Sequence, residues 1–172
     1  MLKAIGAGLI LSVGILWGMQ MKYRLAEHLR QLICLKEVLL MLVGEISYAK
    51  APLREAFVHI FDMGKAPFGE LLKEVSDRLE QEREKNLYEI WKGAIENHKE
   101  QIFFSGEEFA MLERLGENLG YLDIEMQVNH LELYKQQVEA KITQAQQELA
   151  VRQKMYQYLS LMSGLFVILI LI

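Results

Sequence analysis

Between residues 25 and 46 the apolar positions Leu25, Leu29, Leu32, Leu35, Leu39, Leu42 and Ile46 step by 4, 3, 3, 4, 3 and 4 residues. That spacing predicts a helix with one apolar stripe. Ile33, Leu40 and Val43 widen the stripe, which suits the core of a bundle better than a two-stranded coiled coil. Pro52 fits the first turn of a new helix, so the first is predicted to end near Ala49–Ala51. The second, from Pro52 to about Asp62, offers Leu53, Ala56, Phe57 and Ile60 to the core. Met63-Gly64-Lys65-Ala66-Pro67 punctuates, and Pro67 opens a third helix with Phe68, Leu71, Leu72, Val75 and Leu79. No apolar residue lies between Leu79 and Leu87, a run that reads as a solvated helix face or a junction; Leu87, Ile90, Trp91, Ala94 and Ile95 then resume the pattern.

Ser105-Gly106-Glu107-Glu108 has the form of a capping box, and Phe109, Leu112, Leu115 and Leu119 follow it with helical spacing. Gly120 is placed to terminate that helix and Asp123 to cap a last long one, whose stripe is Leu131, Tyr134, Val138, Ile142, Ala145 and Leu149. No run alternates with period two and no Asn-Gly or Asp-Gly turn occurs, so no strand is expected.

The two ends differ from this middle. Residues 4–19 and 155–172 carry no charge. As a helix, residues 4–21 extend about 27 Å, close to the ~30 Å hydrocarbon thickness of a bilayer. Lys3 followed by an apolar run resembles a signal peptide, but the run exits through Trp17-Gly18-Met19-Gln20-Met21-Lys22 with no small-x-small cleavage site, so it is expected to be retained. The final segment from Met155 also spans about 27 Å and brings Tyr156 and Tyr158 to headgroup depth. Lys22, Arg24 and Arg30 follow the first segment, and Arg152 and Lys154 precede the second, whereas the outer sides carry only Lys3. Positive flanks mark the cytoplasmic side. The expected architecture is all-α: a transmembrane helix over residues 1–21, a cytoplasmic bundle of about six helices over 22–154, and a second transmembrane helix over 155–172.

Composition narrows the chemistry. The stretch 20–154 holds 18 basic and 23 acidic residues, a balance opposed to a nucleic-acid surface. The single cysteine, Cys34, excludes an internal disulfide and is expected to be a small core residue. His28, His59, His98 and His130 sit far apart, with no H-x-x-x-H and no E-x-x-H, and are expected at the surface or half-buried. The glutamates are adequately explained as solvated helix faces. With neither G-x-x-x-x-G-K-[ST] nor G-x-S-x-G present, no enzyme, cofactor, metal or small-molecule substrate is indicated. Gly14 and Gly18 form a G-x-x-x-G spacing suited to close helix packing in a membrane, at about chance frequency in so small-residue-rich a segment. Glu80, Glu82 and Glu84 lie in the longest stretch without an apolar neighbour and are the first candidates for a charged partner contact.

Arg30-Gln31-Leu32, Leu35, Leu39, Leu42, Glu45-Ile46, Tyr48, Pro52-Leu53 and Glu55-Ala56 resemble the N-terminal signature of the stage III sporulation protein AB family. Leu115-Gly116, Leu119-Gly120, Asp123 and Gln127 resemble its second block, and the hydrophobic C-terminal segment is similar too. One position departs from the pattern: Ser160 stands where a glycine is expected. The resemblance implies a role in endospore formation, at the mother-cell membrane facing the forespore, within a channel-like complex that contains a cytosolic ATPase. It also implies likeness to the inner-membrane platform proteins of type II secretion. Two other classes remain open on the residues alone: a membrane-anchored coiled-coil signalling or scaffolding dimer, and a metal enzyme assembled from carboxylates and histidines on separate helices. Self-association is left open as well.

Overall fold

The 3.5-residue stripe becomes the buried face of a first helix, α1 (Leu2–Gly44), on which Leu32, Leu35, Leu39 and Leu42 are withdrawn from solvent. The computed structural model describes the backbone of residues 2–82, 86–119 and 123–171, and side chains over 20–82, 86–119 and 123–152 and at 155. After α1 come α2 (Leu53–Asp62), α3 (Phe68–Gln81), α4 (Leu87–His98), α5 (Gly106–Asn118) and α6 (Ile124–Leu171), with no strand among the described residues.

The first helix ends where proline predicts, by an unforeseen route. At Glu45–Ala49 the backbone widens into one π-helical turn, and Lys50 closes it in a left-handed conformation at φ 49°. The Ala51 amide donates to the Glu45 carbonyl at 3.1 Å. Ile46 stays buried while Tyr48 is 89% exposed. Pro52 occupies the position just before α2, and its carbonyl accepts from the amides of Glu55 and Ala56.

Local chemistry sets the other boundaries. Gly64 turns the chain between α2 and α3 at φ +68°, a conformation that costs glycine no steric clash. Lys65 ties this turn to Glu37 of α1 at 2.6 Å, and the Cys34 thiol reaches the Ala66 carbonyl at 3.6 Å. The described ends of the Glu80–Asn86 run fit the junction reading: α3 ends at Gln81, and the Asn86 side chain caps α4 by accepting from the Glu89 amide at 2.8 Å. The predicted capping box at Ser105 and Glu108 is present in full. Asp123 caps α6 by accepting from the Met126 amide at 2.8 Å. Gly120 lies outside the described residues.

Each of α2 to α5 packs on its chain neighbours, and the most extensive pairing joins α1 to α6. That pair is antiparallel: residues 21–26 lie against Leu149 and Arg152, and Lys36 lies 3.8 Å from Glu139. The core between the pair and the short helices is built from Leu39 and Leu42 of α1, Phe57 of α2, Val75 of α3, Trp91 of α4 and Leu112 of α5. Burying each such side chain contributes about 1.5–3 kcal/mol relative to exposure. The expected widening of the α1 stripe is partly corrected. Ile33 and Leu40 face outward at 37% and 45% exposure, and Val38 and Gln31 occupy the core flank instead.

Candidate functional site

The end of the bundle where α1 and α6 enter and leave it gathers three kinds of side chain. Met21, Lys22, Tyr23 and Arg24 are exposed on α1, and Arg152 stands beside them on α6. Against the same end packs the segment between α4 and α5, held by one buried amide. Gln31, 2% exposed, donates through Nε2 to the Gln101 carbonyl at 2.9 Å and accepts at Oε1 from the Phe103 amide at 2.7 Å. Both ends of the side chain are thereby satisfied, as a buried amide requires.

One turn earlier on α1, His28 meets the capping box of α5. Its Nε2 lies 2.9 and 3.0 Å from the two carboxylate oxygens of Glu108, which also accepts from the Ser105 amide at 2.7 Å. Burial pushes the Glu108 carboxyl up, but the hydrogen bonds from His28 and from the Ser105 amide and hydroxyl outweigh it and hold the group at about 2. The Phe104 ring stands edge-on to His28.

The same pairing recurs. His59 of α2 lies 3.3 Å from Glu45 in the π turn, and His98 of α4 lies 3.0 Å from Glu74 of α3. Glu74 also receives Asn97 and Arg78, each at 2.7 Å. His28 and His98 are half-buried and His59 is exposed, as expected, and all three also tie helices together. Glu74 and Glu108 are not the solvated acids they were expected to be. His130 lines a cavity of about 170 Å³ between α5 and α6, next to Tyr134, whose phenol burial pushes up. Among the described residues no three His, Cys, Asp or Glu side chains converge as metal ligands. Cys34 is the expected core residue, with its thiol pushed up by burial and so poor in thiolate.

The acidic candidates do not form one free patch. Glu80 is exposed and bonded to Arg54 at 2.9 Å. The Glu82 amide closes α3 on the Arg78 carbonyl at 2.7 Å, and Glu84 lies outside the described residues. Gly14, Gly18 and Ser160 fall within the helical spans of α1 and α6, but their surroundings are likewise outside the described side chains. Among the described residues no helix is long and apolar enough to cross a membrane. The segments 4–21 and 155–172 fall almost wholly beyond the described side chains.

A bundle of short helices on a long antiparallel pair, tied by interhelical His–Glu contacts, defines an all-helical bundle protein. Residues 3–172 match the family model described as stage III sporulation protein AB. The stage III sporulation protein AB of Bacillus subtilis (strain 168) is 29% identical over 171 residues, with 99% of each chain covered. A solved structure of a stage III sporulation protein AB superposes with a TM-score of 0.65 at 27% identity, covering 72% of this chain and 97% of that one. The chain belongs to the stage III sporulation protein AB family, and is a sporulation protein. Of the residues that carried the resemblance, Gln31, Leu39, Gly116 and Asp123 have structural tasks, whereas Tyr48 is spent on no contact in the core.

Proposed function

We propose that this protein is a non-enzymatic platform component of the sporulation channel complex between mother cell and forespore, docking a cytosolic ATPase. Residues 1–21 and 155–172 anchor it as two membrane helices, with the bundle on the cytoplasmic side of the mother-cell membrane. The observation that carries this reading is the antiparallel α1–α6 pair. Because residues 21–26 meet 149–152, both apolar segments leave the bundle at one end, and Lys22, Arg24 and Arg152 collect there. A membrane hairpin with positive cytoplasmic flanks requires that arrangement. The coiled-coil dimer is disfavoured because Leu39 and Leu42, the centre of its seam, are already buried within the chain.

The purified full chain in neutral detergent should bind the ATPase of the complex without hydrolysing nucleotide. Association should weaken as salt rises, since exposed ion pairs are screened beyond ~8–10 Å near physiological ionic strength. Charge reversal at Glu80, Glu82 and Glu84 is the first trial of the surface, and a folded triple variant that binds normally rejects that patch. Absence of binding at tens of micromolar by the wild-type chain rejects direct docking. The side of the membrane is tested separately: with Cys34 replaced, a cysteine at Tyr48 should resist an impermeant thiol reagent in intact cells.

A further inference from the structure

We propose that the groove at the anchored end of the bundle binds one anionic phospholipid, its phosphate held between Arg24 and Arg152 and an acyl chain lying along Met21 and Leu25. The groove runs between α1, α6 and the segment joining α4 to α5, with a volume of about 620 Å³, within the ~300–1,000 Å³ range of small-molecule sites. Its inner wall is apolar and aromatic, with Phe103 fixed by the Gln31 clamp on its amide.

Charge selects the ligand. Arg24, Lys99 and Arg152 line it with one acid, Glu100, among the described lining residues, in a chain whose net charge is −4. Lys99 is partly committed, lying 3.1 Å from Glu96 and over the Phe109 ring at 5.9 Å. Arg24 and Arg152 have no acidic partner among the described residues. Two unpaired guanidiniums from different helices present the planar forks that suit phosphate oxygens. An aqueous anion would satisfy them but would leave Met21 and Leu25, which line the same groove, facing water. A lipid satisfies both, because it brings its phosphate and its chain to the level where charge gives way to apolar sequence. Basic pockets beside membrane helices hold anionic headgroups for this reason.

The site rests on the reading that residues 1–21 and 155–172 span the bilayer, so that reading is measured first. Alkaline carbonate should leave the full chain in the membrane pellet. Release into the supernatant overturns the anchor and the lipid site together. The membrane-retained chain is then purified in neutral detergent with equal amounts of phosphatidylglycerol and phosphatidylcholine and examined by native mass spectrometry. One phosphatidylglycerol per chain should be retained in preference to phosphatidylcholine. Arg24→Gln and Arg152→Gln should each reduce that preference about fivefold, with Lys22 and Lys154 left as positive flank. Arg54→Gln, which removes an exposed guanidinium elsewhere, should leave it unchanged. Equal retention of the two lipids, or a double Gln variant with wild-type preference, overturns the site while leaving the anchor standing. Inorganic phosphate raising the melting temperature as far as phosphatidylglycerol does would show a bare phosphate site and overturn the lipid.

Discussion

The indole of Trp91 occupies the space that any side chain at Gly116 would need. A Cβ built at residue 116 would stand 2.2 Å from Cδ1 of Trp91 and 2.4 Å from Cγ. The ring cannot retreat freely, because its Nε1 donates to the Leu112 carbonyl at 2.8 Å, one turn earlier on the same helix. Glycine inside α5 is therefore required by the close approach of α4, although alanine is the better helix former by ~1 kcal/mol.

Gly116→Ala should destabilise the protein by about 2 kcal/mol net, the cost of overpacking outweighing the gain in helix propensity. Thermal denaturation followed by circular dichroism should show a fall of several degrees. Combining it with Trp91→Phe should cost less than the two single changes added, since both act on one contact. Strict additivity would show that Gly116 is needed for another reason.

The Glu108 carboxyl, held at about 2 against an ordinary value near 4.5, makes stability depend on acid. A group whose folded value is lowered stabilises fully above its unfolded value and loses that contribution as pH falls through the folded one. Up to about 3 kcal/mol should thus be lost between roughly pH 5 and pH 2. Urea midpoints measured across that window should fall in the wild type and fall distinctly less in Glu108→Gln. Parallel curves for the two proteins would place the acid sensitivity elsewhere.

Gln31→Ala should leave the Gln101 carbonyl and the Phe103 amide without their buried partner, at a cost of about 1–3 kcal/mol. The Phe103 amide should exchange with solvent much faster, while amides in the middle of α3 keep their protection. Uniform loss of protection would mean that Gln31 supports the whole core and not one segment.

Leu39, 0% exposed, and Tyr48, 89% exposed, should behave oppositely. Leu39→Asp buries an unpaired carboxylate and should cost several kcal/mol out of a total stability of ~5–15 kcal/mol. Tyr48→Ala should stay within about 0.5 kcal/mol of wild type. Equal melting of wild type and Leu39→Asp would show that the α1 stripe is not the core.

Features encoded by neighbours in sequence were readable before folding. The 3.5-step stripe from Leu32 to Ile46, the Ser105–Glu108 capping box and the Asp123 cap each depend on residues within one or two turns, and each is present. Ile33 and Leu40 misled because periodicity reports apolarity, whereas the number of helices packed around α1 decides how wide its buried arc is. The His28–Glu108 contact joins residues 80 apart, and no local pattern marks which of 23 acids will be chosen. A signal did exist for Gln31: a polar residue between apolar stripe positions of a core helix must find partners or not be there. The π turn at Glu45–Ala49 follows from no propensity we can name; Pro52 fixed its end but not its form.

The unbroken course of α1 into the bundle makes it a lever. From residue 22 to Gly44 the helix extends about 33 Å at 1.5 Å per residue. A tilt of about 10° at the residue 22 end would carry the π turn sideways by roughly 6 Å, a distance comparable to one helical pitch. Because α6 lies antiparallel against α1, the two shafts must swing together or slide along each other. Tyr48, at the far tip, travels furthest. Motion at the residue 22 end would thus be felt most strongly at the π turn, and force applied to that tip would be returned along the same arm.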